Sequence, residues 1–245
     1  MSIQRNIKFK AMENIIKEDE VGYPIYVEVC DESNVVGEGM HSTAVSSGTG
    51  SRSIGKGESS SAVSSGKYSS AVNAGEASVA VITGEFSSAV SMGCQSAAVN
   101  TSEYSSASCS DEFSVAASTG YNSSAISTAC SSVAINTGSD SSSVSTGAKS
   151  VAACMNDNSV ANAIGKNSVA CVIGGNSAAE AKGNQSVAIA AGYGSKAAGG
   201  LGCWLVIAEC DIDGAFLDLK SVVVDGVKIK ANTFYTLKDG AIVEA

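Results

Sequence analysis

From residue 33 the chain runs in short stretches of alternating small polar and apolar residues, each closed by a glycine and two further polar positions. A serine recurs at every ninth position from Ser33 to Ser195 without exception. Two residues after each serine from Ser42 onward stands an alanine, in sixteen of eighteen places, with Ser53 and Ser143 the exceptions. Six residues after each serine from Ser33 to Ser186 stands a glycine in fourteen of eighteen, replaced elsewhere by Ser102, Asp111, Ala129 and Asn156. The unit is Ser-x-Ala-x-x-x-Gly-x-x, as in Ser87-Ser88-Ala89-Val90-Ser91-Met92-Gly93. Alternation over about five residues followed by glycine and a polar pair predicts a strand and a tight turn. A helix would not hold glycine at a fixed spacing of nine.

The residue after the repeat serine alternates in its turn: Ser70, Val79, Ser88, Ala97, Ser106, Val115, Ser124, Val133. The true period is therefore eighteen, two strands per coil, and the fold class is all-β, a β-solenoid of nonapeptide repeats. Seventeen or so units predict eight to nine coils and, at about 4.8 Å per coil, a rod on the order of 40 Å long. Such a stack needs capped ends. Residues 1–41 are assigned to an N-terminal cap with Tyr26-Val27-Glu28-Val29 as a strand, 42–198 to the solenoid, and 199–245 to a C-terminal β cap. Asp225-Gly226 and Asp239-Gly240 mark hairpin turns there. Trp204, Leu205, Ile207, Phe216, Leu217, Leu219, Phe234, Tyr235 and Leu237 supply the large residues that the repeat lacks.

Which strand face lies inside decides what the outside is for. One face carries the repeat serine, the alanine and a third small residue; the other carries Ser or Val, then Val or Ile, then often Thr. Polarity alone would bury the second face. Uniform size argues for burying the first, because an extra methyl cannot be absorbed in every layer of a narrow interior. Glu180 and Lys182 also lie on the second face, where burial is expensive. Ser and Ala are accordingly placed inside, the hydroxyls bonded along a ladder; the alternative is that the valine strip is itself the core. On the first assignment one sheet exposes Val79, Val81, Val99, Val115, Val133 and Ile135, with threonines at 83, 101, 119 and 137, as a candidate oligomer face. The other exposes Ser70, Ser88, Ser106, Ser124 and Ser142.

Composition agrees: 26 glycines, one proline and 5% aromatics leave few large side chains for a conventional core. The net charge of −9 disfavours nucleic-acid binding through a basic surface. No stretch reads as a signal peptide or a membrane span, so a cytoplasmic location without membrane contact is expected. Eight cysteines form no Cys-x-x-Cys pair and read as reduced structural thiols.

The runs Ser78-Val79-Ala80-Val81, Ser132-Val133-Ala134-Ile135 and Ser186-Val187-Ala188-Ile189 resemble the head repeats of trimeric autotransporter adhesins, where small residues fill each roll and valine and isoleucine face the trimer centre. The unit here is shorter than theirs, and no stalk or anchor accompanies it, so adhesin function is not implied. More of the chain is similar to an uncharacterised family of phages and gut bacteria. That resemblance rests on Ser186-Val187-Ala188-Ile189-Ala190, Gly194-Ser195-Lys196-Ala197, Cys203 to Glu209, Val224 to Lys230 and Phe234 to Gly240. It implies architecture and a phage or mobile-element origin, and nothing catalytic.

No catalytic chemistry stands out. His41 is the sole histidine, no phosphate-binding Gly-x-x-x-x-Gly-Lys-Ser/Thr loop occurs, and the turns lack the recurring acids of calcium-binding nonapeptide rolls. No enzyme, cofactor, metal or small-molecule substrate is expected. Between Lys67 and Lys149, however, lie six acids and no base, interleaved with aromatics at turn positions. Tyr68, Glu85, Phe86, Glu103, Tyr104, Glu112 and Phe113 form a candidate partner-binding edge, on which Tyr68, Phe86 and Tyr104, eighteen apart, should stack. Two readings follow: a non-catalytic scaffold that assembles with copies of itself through the valine face, or an adaptor or inhibitor that binds a host protein through the acidic aromatic edge.

Overall fold

A computed structural model describes residues 15–18 and 24–245. They form a β-solenoid of two sheets joined coil by coil. The first, the valine sheet, has thirteen strands, of which the eleven from Pro24–Glu28 to Trp204–Cys210 are parallel. The second, the serine sheet, has twelve, of which the ten from Asn34–Gly37 to Lys196–Gly199 are parallel. Chain neighbours lie in opposite sheets, and each strand pairs with the one eighteen residues away, as Val79 with Ala97 and Ala97 with Val115. Antiparallel strands close three sheet ends. Ile15–Glu18 covers the first strand of the valine sheet, Phe216–Val223 covers its last parallel strand, and the hairpin of Tyr235–Lys238 and Ala241–Glu244 follows the serine sheet.

The stack has about ten coils, not eight to nine, because parallel pairing runs into both segments assigned to caps. At the first end Pro24 stands in the serine slot and Tyr26 pairs with Ala44. At the other end one residue is lost between Ser195 and Cys203, which brings Trp204 opposite Val187. Leu205 and Ile207, both fully buried, then fill the slots that hold alanine and a small residue in the layers below.

The interior is the serine and alanine face. Ala62, Ala71, Ala80, Ala89, Ala98 and Ala107 are completely inaccessible, and every repeat serine is buried. Each serine from Ser60 to Ser177 donates its backbone N–H to the hydroxyl of the serine one coil later; for Ser87 the acceptor is Ser105 Oγ at 3.0 Å. That hydroxyl in turn donates to turn carbonyls, for Ser105 that of Glu103 at 2.9 Å. The expected ladder therefore runs through backbone groups, hydroxyl alternating with peptide, and satisfies buried N–H groups that would otherwise cost about 1–3 kcal/mol each. Cys203 keeps the ladder's donor after the lost residue, its Sγ donating to Gly183 O at 3.0 Å.

The turn chemistry differs from the sequence expectation. The repeat glycine serves close approach: a Cβ on Gly84 would collide with the carbonyl of Gly66 in the coil below. The left-handed position is instead the residue just before each serine, where Tyr68, Phe86, Tyr104 and Phe113 have φ of 54–57° and Asn122, Asn158, Asn167 and Asn176 of 52–56°. Asparagine suits that region; bulky residues reach it at about 1–2 kcal/mol. The turns are also bonded along the rod, as by Tyr68 N–H to Glu85 O at 3.0 Å.

Candidate interaction surfaces

With the small residues inside, Val79, Val81, Val99, Val115, Val133 and Ile135 all point outward from the valine sheet. Val79, Ala97, Val115 and Val133 form one in-register column, and Val81, Val99, Ala117 and Ile135 the next. The strands from Thr43–Ser46 to Trp204–Cys210 place no charged side chain at either outward position. The serine sheet, by contrast, carries Arg52, Glu180 and Lys196 at the equivalent sites.

The apolar face ends in large side chains from the set that the sequence reading assigned to the C-terminal cap. Trp204 is 49% exposed, and Leu219 and Leu217 are more open still; only Leu205, Ile207, Tyr235 and Leu237 of that set are buried. Strand alternation is the reason. Once Leu205 and Ile207 turn inward, Trp204 faces out, and Val223 and Leu219, paired with Trp204 and Ala208, continue the same face.

The acidic edge comes apart into two. Successive turns lie on opposite edges of the rod, so only residues separated by multiples of eighteen share one. Tyr68, Glu85, Phe86, Glu103 and Tyr104 lie on the edge where the chain passes from the valine sheet to the serine sheet; Glu112 and Phe113 lie on the opposite edge, in the turn entering Val115–Ser118. On the first edge the rings stack as expected. Tyr68 and Phe86 have centroids 5.4 Å apart at 18°, Phe86 and Tyr104 5.1 Å apart at 7°, and Tyr121 meets Tyr104 edge-on at 5.9 Å. Glu85 is not a free acid: Lys67 pairs with it at 2.7 Å, which raises the lysine pKa. A hydrogen bond to Asp140 raises the pKa of the Tyr121 hydroxyl.

Sequence reasoning missed a groove beside this ladder, because two columns nine residues out of step must be brought together to make it. Phe86, Tyr104, Asn122, Asp140 and Asn158, all in the left-handed turn position, form its wall. The outward Ser88, Ser106, Ser124 and Ser142 of the serine sheet form its floor, and it encloses about 560 Å³. The spacing of eighteen within each column was the available signal.

All eight cysteines are unbridged; burial pushes Cys109 up to about 11. Among the described residues no group of three His, Cys, Asp or Glu side chains could hold a metal ion, and no helix is long and apolar enough to cross a membrane. No protein-family model, curated protein or solved structure matches the chain.

Proposed function

We propose that the protein is a non-catalytic β-solenoid scaffold that assembles by packing its valine face against that of a second copy. The observation that carries this reading is the uncharged outer face of the valine sheet. Ten successive coils without an outward charge are not needed for folding, since the interior is built from the opposite strand face, and an apolar patch of that extent marks a contact surface. The two outward positions of each strand and the residue that follows on the same face span about 16 Å, and ten coils about 48 Å, giving roughly 800 Å² per copy. Twice that area is the standard size of a specific interface, about 1,600 Å². A face with in-register columns can meet its own copy across a two-fold axis, and the exposed Trp204 is the kind of side chain that anchors interfaces.

The test is absolute mass by light scattering over a concentration range, for the parent chain and for a Val133→Lys, Ile135→Lys variant. A parent dimer and a folded monomeric variant are expected, because both side chains point outward. A parent that stays monomeric at all concentrations would refute the reading, as would a variant that keeps the dimer. A second reading, an adaptor for a basic partner protein, is favoured by the exposed aromatic stack, in which Tyr68 is 64% accessible. Charge reversal at Glu103 should abolish capture of that partner and reversal at Glu112, on the far edge, should not; equal effects would sink it.

A further inference from the structure

We infer that the groove beside the aromatic ladder binds long, flat aromatic cations lying parallel to the rod. It opens on the serine-sheet side, away from the valine face, so binding here is independent of assembly.

The argument begins with ring geometry. Phe86 is sandwiched between Tyr68 and Tyr104, and Tyr104 also meets Tyr121, so the faces of Phe86 and Tyr104, the two rings that line the groove, are taken up. A pyranose, which needs an open ring face for its C–H groups, finds none. What Phe86 and Tyr104 present to the groove is their edges, about one coil apart. Ring edges carry the positive end of the quadrupole and favour edge-to-face contact with a π surface. A conjugated ligand laid along the ladder would receive several such contacts at once.

Length and charge select the ligand further. From Phe86 to Asn158 the groove crosses four coil steps, about 19 Å. Beyond the rings its wall turns polar at Asn122, Asp140 and Asn158, so a ligand with an apolar conjugated body and a cationic pole fits in one direction. Lys67 is the only base in the row of turns along this edge among the described residues, and Glu85 already holds it. On the serine sheet Arg52 stands two coils before Ser88 and Lys196 three coils beyond Ser142. The local field therefore favours cations. Among the described residues the floor hydroxyls of Ser124 and Ser142 and the side-chain amides of Asn122 and Asn158 have no protein partner, which leaves them free to bond a ligand's heteroatoms or its water.

Thioflavin T, used alone with the full-length chain, is the probe; fluorescence titration gives affinity and equilibrium dialysis gives stoichiometry. A Phe86→Asn, Tyr104→Asn variant should keep its fold, because the same turn position already holds Asn122 and Asn158 at φ of 54° and 55°. Saturable binding is expected, at least ten-fold weaker in that variant and weaker by about three-fold, with a flatter salt dependence, in Asp140→Asn. Phe113→Asn on the opposite edge should leave it unchanged. The inference is overturned by an absence of saturable binding, by unaltered affinity in the double variant with the far-ultraviolet spectrum of the parent, or by an equal loss in Phe113→Asn.

Discussion

Removing one hydroxyl from the buried ladder distinguishes two kinds of serine that look alike in composition. In Ser105→Ala the backbone N–H of Ser87 loses its only acceptor among the described residues, which now lies at 3.0 Å, at a buried site. A buried unsatisfied donor costs about 1–3 kcal/mol, so a loss of about 2 kcal/mol is expected. Of the two carbonyls that Ser105 Oγ serves, that of Glu103 also accepts from Phe86 N–H and is not stranded, and that of Gly84 is reached only at 3.4 Å, so the second loss is the smaller one. The control is Ser118→Ala. That hydroxyl is equally buried but has no partner among the described residues, and its removal relieves a desolvated polar group, so the change is expected to be neutral or stabilising by up to about 1 kcal/mol. Ser105→Cys should fall between, since Cys203 keeps the donor half of the role in its own slot. The assay is urea denaturation at equal m, which also reports whether the stack still unfolds as one unit. Equal midpoints for Ser105→Ala and Ser118→Ala would refute the ladder as a source of stability.

Gly84→Ala forces the turn away from the carbonyl of Gly66 and should cost about 1–3 kcal/mol by urea denaturation; Ser102, in the same column, shows that the stack still forms around one such shift. Phe86→Asn removes two ring contacts of about 0.5–1.5 kcal/mol each but relieves a left-handed phenylalanine of about 1–2 kcal/mol, so thermal stability should move little while the near-ultraviolet aromatic signal falls. A drop of several kcal/mol would show that the ladder carries more than its pairwise contacts. At pH 8.5 a thiol reagent should modify the exposed Cys130 rapidly and leave Cys109 untouched until denaturant is added, because burial raises the Cys109 pKa to about 11 and only the thiolate reacts. Rapid labelling of Cys109 in the native protein would contradict its place in the interior.

The period of nine told almost everything about the fold, since a rigid spacing of Ser, Ala and Gly leaves little choice but stacked strands and turns. Size uniformity then identified the buried face where polarity pointed the other way. The coil count fell short because the end layers do not carry the repeat's residues: Pro24 and Tyr26 at one end and Cys203 and Leu205 at the other occupy repeat slots that only pairing reveals. The glycine was read only as the start of a tight turn; the left-handed backbone sits two positions later, and the glycine answers to the coil beneath it, a contact invisible in one strand's sequence. Of the candidate edge, Tyr68, Phe86 and Tyr104 were legible from their spacing of eighteen. Glu112 and Phe113 were joined to them by proximity along the chain, although Glu112 follows Glu85 by 27 residues, an odd number of half-coils, and so lies across the rod.

Pairing at eighteen rather than nine makes this chain a ruler with two kinds of graduation. A deletion of eighteen residues within the stack removes one whole coil, shortens the rod by about 4.8 Å and leaves every downstream side chain in its own sheet. A deletion of nine preserves the interior equally well, because serine and alanine recur in both halves of the coil. It nevertheless exchanges the two sheets from that point on, carrying the downstream valines to the serine side. Gene slippage by a single nonapeptide would thus yield a chain that folds and yet presents a broken outer face, so a lineage that depends on that face can change its length only in even counts.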